Sequence, residues 1–179
     1  MVKAALKTSQ TASSLRFQLD QEELAERISS ALPEDGRREV QPGLYFNRAA
    51  TTGEVVHGVV EPSLCIIAQG SKEVIAGQNR YRYDPAHYLI TTVELPLRGQ
   101  VVAASREQPY LSLRLVLDPS VVTSALIESG HGVSTGEPSV TGIDVSVLSE
   151  ELLNAALRLV RMLDDPLELL TQFFGDTLR

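Results

Sequence analysis

The chain of 179 residues has no tryptophan, one cysteine, two methionines and three histidines, and aromatic residues make up 5% of it. A single cysteine, Cys65, permits no internal disulfide, which suits a reducing cytoplasm. His57, His87 and His131 lie on separate segments with no His-x-His pair, so the imidazole cluster of a metal centre is missing and none is expected. No apolar run approaches the roughly 18 residues of a membrane helix, and the first residues lack an apolar core long enough for a secretory signal. Basic residues do not cluster beyond the pair Arg37-Arg38. With a net charge of −7, the surface repels phosphate backbones, so DNA is not a direct partner of this stretch of chain. No Gly-x-Ser-x-Gly elbow occurs, and no glycine-rich loop leads into a helix. Both absences argue against an α/β-type hydrolase and a nucleotide cradle.

What is present is a core: 43% of residues are hydrophobic, enough for one domain. Residues 1–18 read as a flexible tail. A short helix follows. Asp20 stands as its N-cap with Glu23 three later, Leu19 and Leu24 at the staple positions, and Pro33 and Gly36 beyond its end. Leu24 and Ile28 form only a thin apolar stripe, so this helix is expected to lie against the body rather than inside it.

From Pro42 to Leu117 short strands alternate with turns. Strands are expected near 43–49, 54–60, 63–69, 72–76, 79–83, 87–92, 98–104 and 110–117, with no helix between them. Parallel pairing would need crossover helices, so the sheet is antiparallel, in a sandwich or barrel. Helices come last. Asp118 caps one, with Pro119 at its first position and Gly130 as its stop. A longer helix is expected over 144–163, with Asp144 as cap. Its Leu148, Leu152, Ala155, Leu159 and Met162 keep a three-four rhythm suited to a dimer seam, and Leu153, Ala156, Leu157, Val160 and Leu163 form a second stripe. Pro166 restarts a short helix over 166–174, with Glu168 at a capping position.

The strand block resembles a known family in three pieces: "EPSLC" with "AQGSK", "YRYDPAHYLI", and "LPLRGQVV" followed by "ASREQPYLSLRL". Their order and spacing over residues 61–118 resemble the N-terminal regulatory domain of AraC-type bacterial transcription regulators, with weaker similarity over about 20–165. The resemblance implies a mainly β, cupin-like double-stranded barrel over 19–118 and a helical appendage with a dimerisation role over 119–179. It further implies a small-molecule effector in the barrel, a homodimer, and DNA contact only through a C-terminal helix-turn-helix domain. The chain ends at Arg179 without room for such a domain, so it is expected to be an excised domain or a truncated paralogue. The rival functions are a small cupin enzyme and a pure interaction module. Neither catalysis nor a cofactor is expected.

Candidate ligand contacts follow from strand positions. Cys65 shares a strand face with Ser63, Ile67 and Gln69, while Leu64, Ile66 and Ala68 face the other way. Both sets are partly apolar, so alternation leaves open which faces inward. Cys65 is packing, or it lines a cavity near a cation supplied by Arg114 or His57. Tyr83 and Tyr88 flank the "DPAH" turn, and Tyr45, Phe46 and Tyr81 lie on neighbouring strands. A tyrosine offers an apolar body and a hydroxyl to a ligand. Arg114 sits mid-strand among leucines and, if buried, needs an anionic partner.

Overall fold

A computed structural model describes residues 2–130 and 142–164, with side chains described over 14–130 and 142–163. His131 and the helix expected over 166–174 lie outside the described residues. The elements run α1 (Val2–Ala31), β1 (Gly36–Gln41), β2 (Leu44–Ala49), β3 (Val56–Val60), β4 (Ser63–Gln69), β5 (Ser71–Ala76) and β6 (Asn79–Tyr83). Then come β7 (His87–Thr91), β8 (Leu95–Ala103), β9 (Tyr110–Val116), α2 (Pro119–Glu128), β10 (Ile143–Val147) and α3 (Glu150–Asp164). The fold is mainly β, as expected, and all pairings are antiparallel. Six strands form one sheet in the order β1-β2-β9-β4-β7-β10, and four form a second, β3-β8-β5-β6. The expected barrel takes the form of two facing sheets, a sandwich rather than a closed cylinder.

Alternation along β4 divides the core in two. Ile66 and Ala68, with Leu64 beside them, join Leu44, Phe46, Leu111 and Leu113 on the face covered by α1 and α3. Cys65 and Ile67 join Val74, Tyr83, Leu89, Leu97, Tyr110 and Ile143 between the sheets. A residue on β4 therefore has one neighbour set or the other, never both. The β4–β5 turn needs a glycine. Gly70 has φ +83°, and a Cβ there would stand 2.5 Å from the Ala103 carbonyl oxygen.

The helices correct three expectations. The first helix does not start at Asp20: α1 already runs from Val2, so residues 2–18 are helical rather than a tail. Residues 2–19 hold no proline or glycine to stop a helix, so a capping pattern inside them marks no boundary. Glu23 consequently does not reach back to Asp20. It accepts from Arg27 Nε at 2.7 Å and from Arg161 Nε at 2.8 Å, which ties α1 to α3. Leu24 and Ile28 are fully buried among Leu153, Leu157 and Val160, so the thin stripe is core after all. Burial of such aliphatic side chains contributes about 1.5–3 kcal/mol each.

The last helix also begins later than expected. Residues 143–147 form β10, paired with β7, and Ser149 rather than Asp144 caps α3: the Leu152 amide donates to Ser149 Oγ at 3.2 Å. Asp118 does cap α2, accepting from the Ser120 amide at 2.8 Å, with Pro119 following and Gly130 just past the end at φ +71°.

Candidate ligand site between the sheets

The space between the sheets has a dry end and a polar end. At the dry end, Tyr83 of β6 reaches across to Cys65 of β4, its hydroxyl donating to Sγ at 3.4 Å. Burial pushes the Tyr83 phenol well above its ordinary range, with Cys65 reinforcing the shift. Burial raises Tyr110 likewise. Both phenols stay neutral, and Tyr83 serves as the donor to Cys65. Cys65 is 7% exposed, walled by apolar neighbours.

The polar end lies where β2 and β9 run beside one another. Arg114 is the cross-strand partner of both Cys65 and Tyr45. Its Nε donates to Ser63 Oγ at 3.1 Å, and its Nη2 stands 3.5 Å from Glu61 Oε2. Ser63 in turn lies 3.1 Å from Thr91 Oγ1, and Ser63 and Thr91 are both fully buried. The Arg114 guanidinium is 5.9 Å from the Tyr45 ring centroid, and Arg37 covers the same ring at 3.9 Å. Asn47 donates to Ser112 Oγ at 3.2 Å. Arg114 thus meets the need expected of a buried cation with a hydroxyl, an aromatic face and a distant carboxylate.

Three of the five expected contacts, Cys65, Tyr83 and Arg114, come together here. The other two do not. Tyr88 pairs with Ile66 and packs in the core under the helices, as does Phe46. His57 pairs with Arg98, one residue from the inward Leu97, so it looks out from the second sheet. There it lines an open surface groove of about 520 Å³ with Val59, Ile75, Pro96 and Arg98. The expected cation beside Cys65 is therefore not His57, and the Arg114 guanidinium is committed to Ser63 and Glu61. Among the described residues, no three His, Cys, Asp or Glu side chains gather to hold a metal ion. No helix among them is long and apolar enough to cross a membrane.

One inward cation escaped the reading of residue types: Lys72 on β5, the cross-strand partner of the inward Tyr83 and Val101. The alternation of Lys72, Val74 and Ala76 carries the signal, but only once Val74 is known to face inward.

A mainly β sandwich with one face under two helices and an inward polar end is the cupin-like kind of regulatory domain that the strand motifs imply. The family model described as the AraC-type transcriptional regulator N-terminus matches residues 40–171, and the chain belongs to that family. No curated protein matches it. Among solved structures, ToxT from Vibrio cholerae bound to (E)-4-(8-methylnaphthalen-1-yl)but-3-enoic acid is similar at 11% identity and TM-score 0.49. That match covers 75% of this chain and 55% of ToxT. Wild-type ToxT with an unsaturated fatty acid bound is similar at 10% identity and TM-score 0.42, covering 72% of this chain and 48% of that one. The Schizosaccharomyces pombe Cnp3 cupin domain follows at 11% identity and TM-score 0.35, with 57% and 80% covered. The chain thus spans about half the length of the ToxT structures it matches.

Proposed function

We propose that this chain is the effector-sensing and dimerisation domain of an AraC-type transcription regulator, working in the cytoplasm and taking a small molecule between its two sheets. Membership of the family supports the regulatory setting. The observation that carries the sensing role is the open edge of the sandwich. Tyr45, Asn47 and Arg114 face inward yet remain half-buried. Val56 of β3 also faces inward, as the cross-strand partner of Gly99, and is 70% exposed. Inward polar groups with solvent access, backed by apolar walls, are what a small-molecule site requires. Arg114 gives the site its polar anchor, while Cys65 and Tyr83 form its floor.

Coupling to the rest of the regulator runs through β4. That strand presents Ser63 and Cys65 to the guest side, and Leu64 and Ile66 to the helices. A guest that binds one arrangement of α1 and α3 more tightly shifts the population toward it. Couplings of this kind amount to about 1–3 kcal/mol. Homodimerisation uses the flank of α3 that carries Leu152, Ala155, Leu159 and Met162; Leu148, expected at its head, is buried in the protomer's own core. DNA is contacted through a helix-turn-helix module of the regulator, and no catalytic step belongs to this domain.

The test is a small-molecule screen by thermal shift on the purified chain, followed by hydrogen exchange on every binder. Expected are binders that slow exchange in β2, β3 and β9. A screen with no binder, or protection confined to the groove beside His57, overturns the sensing role.

A further inference from the structure

Two cations enter the space between the sheets from opposite sides. Arg114 stands on the six-stranded sheet beside Cys65, and Lys72 stands on the four-stranded sheet beside Tyr83. Tyr83 and Cys65 are themselves in contact across the gap. Lys72 and Arg114 therefore flank that contact, each on the strand next to it. Packed sheets lie about 10 Å apart, a gap that one anionic head group with its hydrogen bonds can span.

The Lys72 side chain has room because position 99 has no side chain. A Cβ on Gly99 would lie 3.1 Å from Lys72 Cε and 3.6 Å from Nζ. Gly99 pairs with Val56 of the open edge, so the ammonium lies toward the opening. Lys72 is half-buried and makes no ion pair or hydrogen bond with another described residue. The countercharge for Arg114 among the described residues is Glu61, at 3.5 Å and with its side chain 58% exposed. An unpaired ammonium turned into a partly desolvated gap leaves its charge uncompensated, and an anion there supplies the missing partner.

We propose that the guest is a small organic carboxylate, its head group held between Arg114 and Lys72. This rests on the sensing role proposed above and names the class of effector. Ser63 occupies Arg114 Nε, and at Nη2 the guest carboxylate displaces the half-exposed Glu61, which stands 3.5 Å away, to take the guanidinium. Val60, Val101 and Ala49, half-buried around the inter-sheet core, take the apolar body. At the opening Arg37 stacks on Tyr45, with Glu39 and Glu61 acting on the same ring, so the rim carries both signs and the attraction for an anion comes from Arg114 and Lys72 within.

The experiment is isothermal titration of the full chain with octanoate and benzoate, with their neutral amides octanamide and benzamide, and with inorganic phosphate. Lys72→Gln, Arg114→Gln and the outer-face control Arg80→Gln are titrated alongside. The carboxylates are expected to bind saturably, and Lys72→Gln and Arg114→Gln each to weaken them about tenfold or more. Arg80→Gln is expected to leave binding unchanged. Lys72→Gln removes no ion pair or hydrogen bond, so it keeps the test alive even if Arg114→Gln fails to fold. Amides that bind as well as the acids, full affinity in Lys72→Gln, or preference for phosphate each overturn the carboxylate. If no acid binds but the wider screen finds a neutral binder, the carboxylate falls and the sensing role stands. If that screen also fails, both fall.

Discussion

Glu23 is a carboxylate whose neighbours reset its chemistry. The hydrogen bond from Arg161 holds its carboxyl at about 2, below the ordinary 4.5, with Arg27 assisting and partial burial opposing. The folded value lies below the unfolded one. Its stabilisation is therefore complete above the unfolded value and is lost as pH falls from about 4.5 toward about 2. The side chain is 30% exposed, so solvent screens the pair and its worth is about 1 kcal/mol. Urea midpoints of wild type and Glu23→Gln should differ at pH 6, draw together below about pH 4.5 and meet only below about pH 2. A gap that stays constant over that range would discard the pairing. The Asp20-x-x-Glu23 pattern was visible in the sequence, but a capping box forms only where a helix starts. With α1 already running, Glu23 was free to face α3. The same limit governs the candidate site. Alternation placed Cys65 opposite Leu64 and Ile66 in facing, but which set looks at the second sheet depends on where the helices land. Cys65, Tyr83 and Arg114 fell inward; Tyr88 and His57, chosen by the same logic, fell on outer faces.

Elements were legible where burial imposes a rhythm and illegible where it does not. Every strand expected between Pro42 and Leu117 exists, because each packs at least one residue against a core and turn residues separate them. β1 was missed. Its "GRREVQ" is exposed at nearly every position, and Val40 is its contact with the core, so no alternation marks it. β10 was hidden differently. The spacing from Val145 to Leu148 to Leu152 mimics a helix, yet it crosses the junction between β10 and α3. Val145 pairs with Leu89, and the helical rhythm belongs to α3 alone. The junction hangs on Ser149, whose hydroxyl accepts from the third amide of α3. Ser149→Ala should cost about 1 kcal/mol in chemical denaturation, and Ser149→Asp should retain the cap. Equal stability of wild type and Ser149→Ala would show that α3 needs no cap.

At the scale of the whole molecule, α3 carries an apolar flank that the described residues cover only in part. Leu153, Ala156, Leu157 and Val160 are buried against α1 and the six-stranded sheet. Leu148, at the head of the other stripe, is also buried at 3% and belongs to the protomer's own core. What remains is Leu152, Leu159 and Met162, half-buried, and Ala155, exposed. A two-fold contact would set this flank against its own copy, and the small Ala155 would let the helices approach closely. Exposed Arg158 would sit at the rim, where charge pairs contribute little. A stable dimer buries about 1,600 Å² in all, more than four side chains supply, so the seam anchors a wider contact and its affinity is modest. Ala155→Arg combined with Met162→Glu changes side chains outside the buried stripe, so the fold should survive. Sedimentation velocity should then show the wild type dimerising with rising concentration and the double variant at least about tenfold weaker, the loss typical of a disrupted interface centre. A wild type that stays monomeric at about 100 µM, an affinity near the floor for specific association, would remove the seam. So would a double variant as dimeric as its parent. Either result would leave the proposed coupling through β4 to act within a single chain.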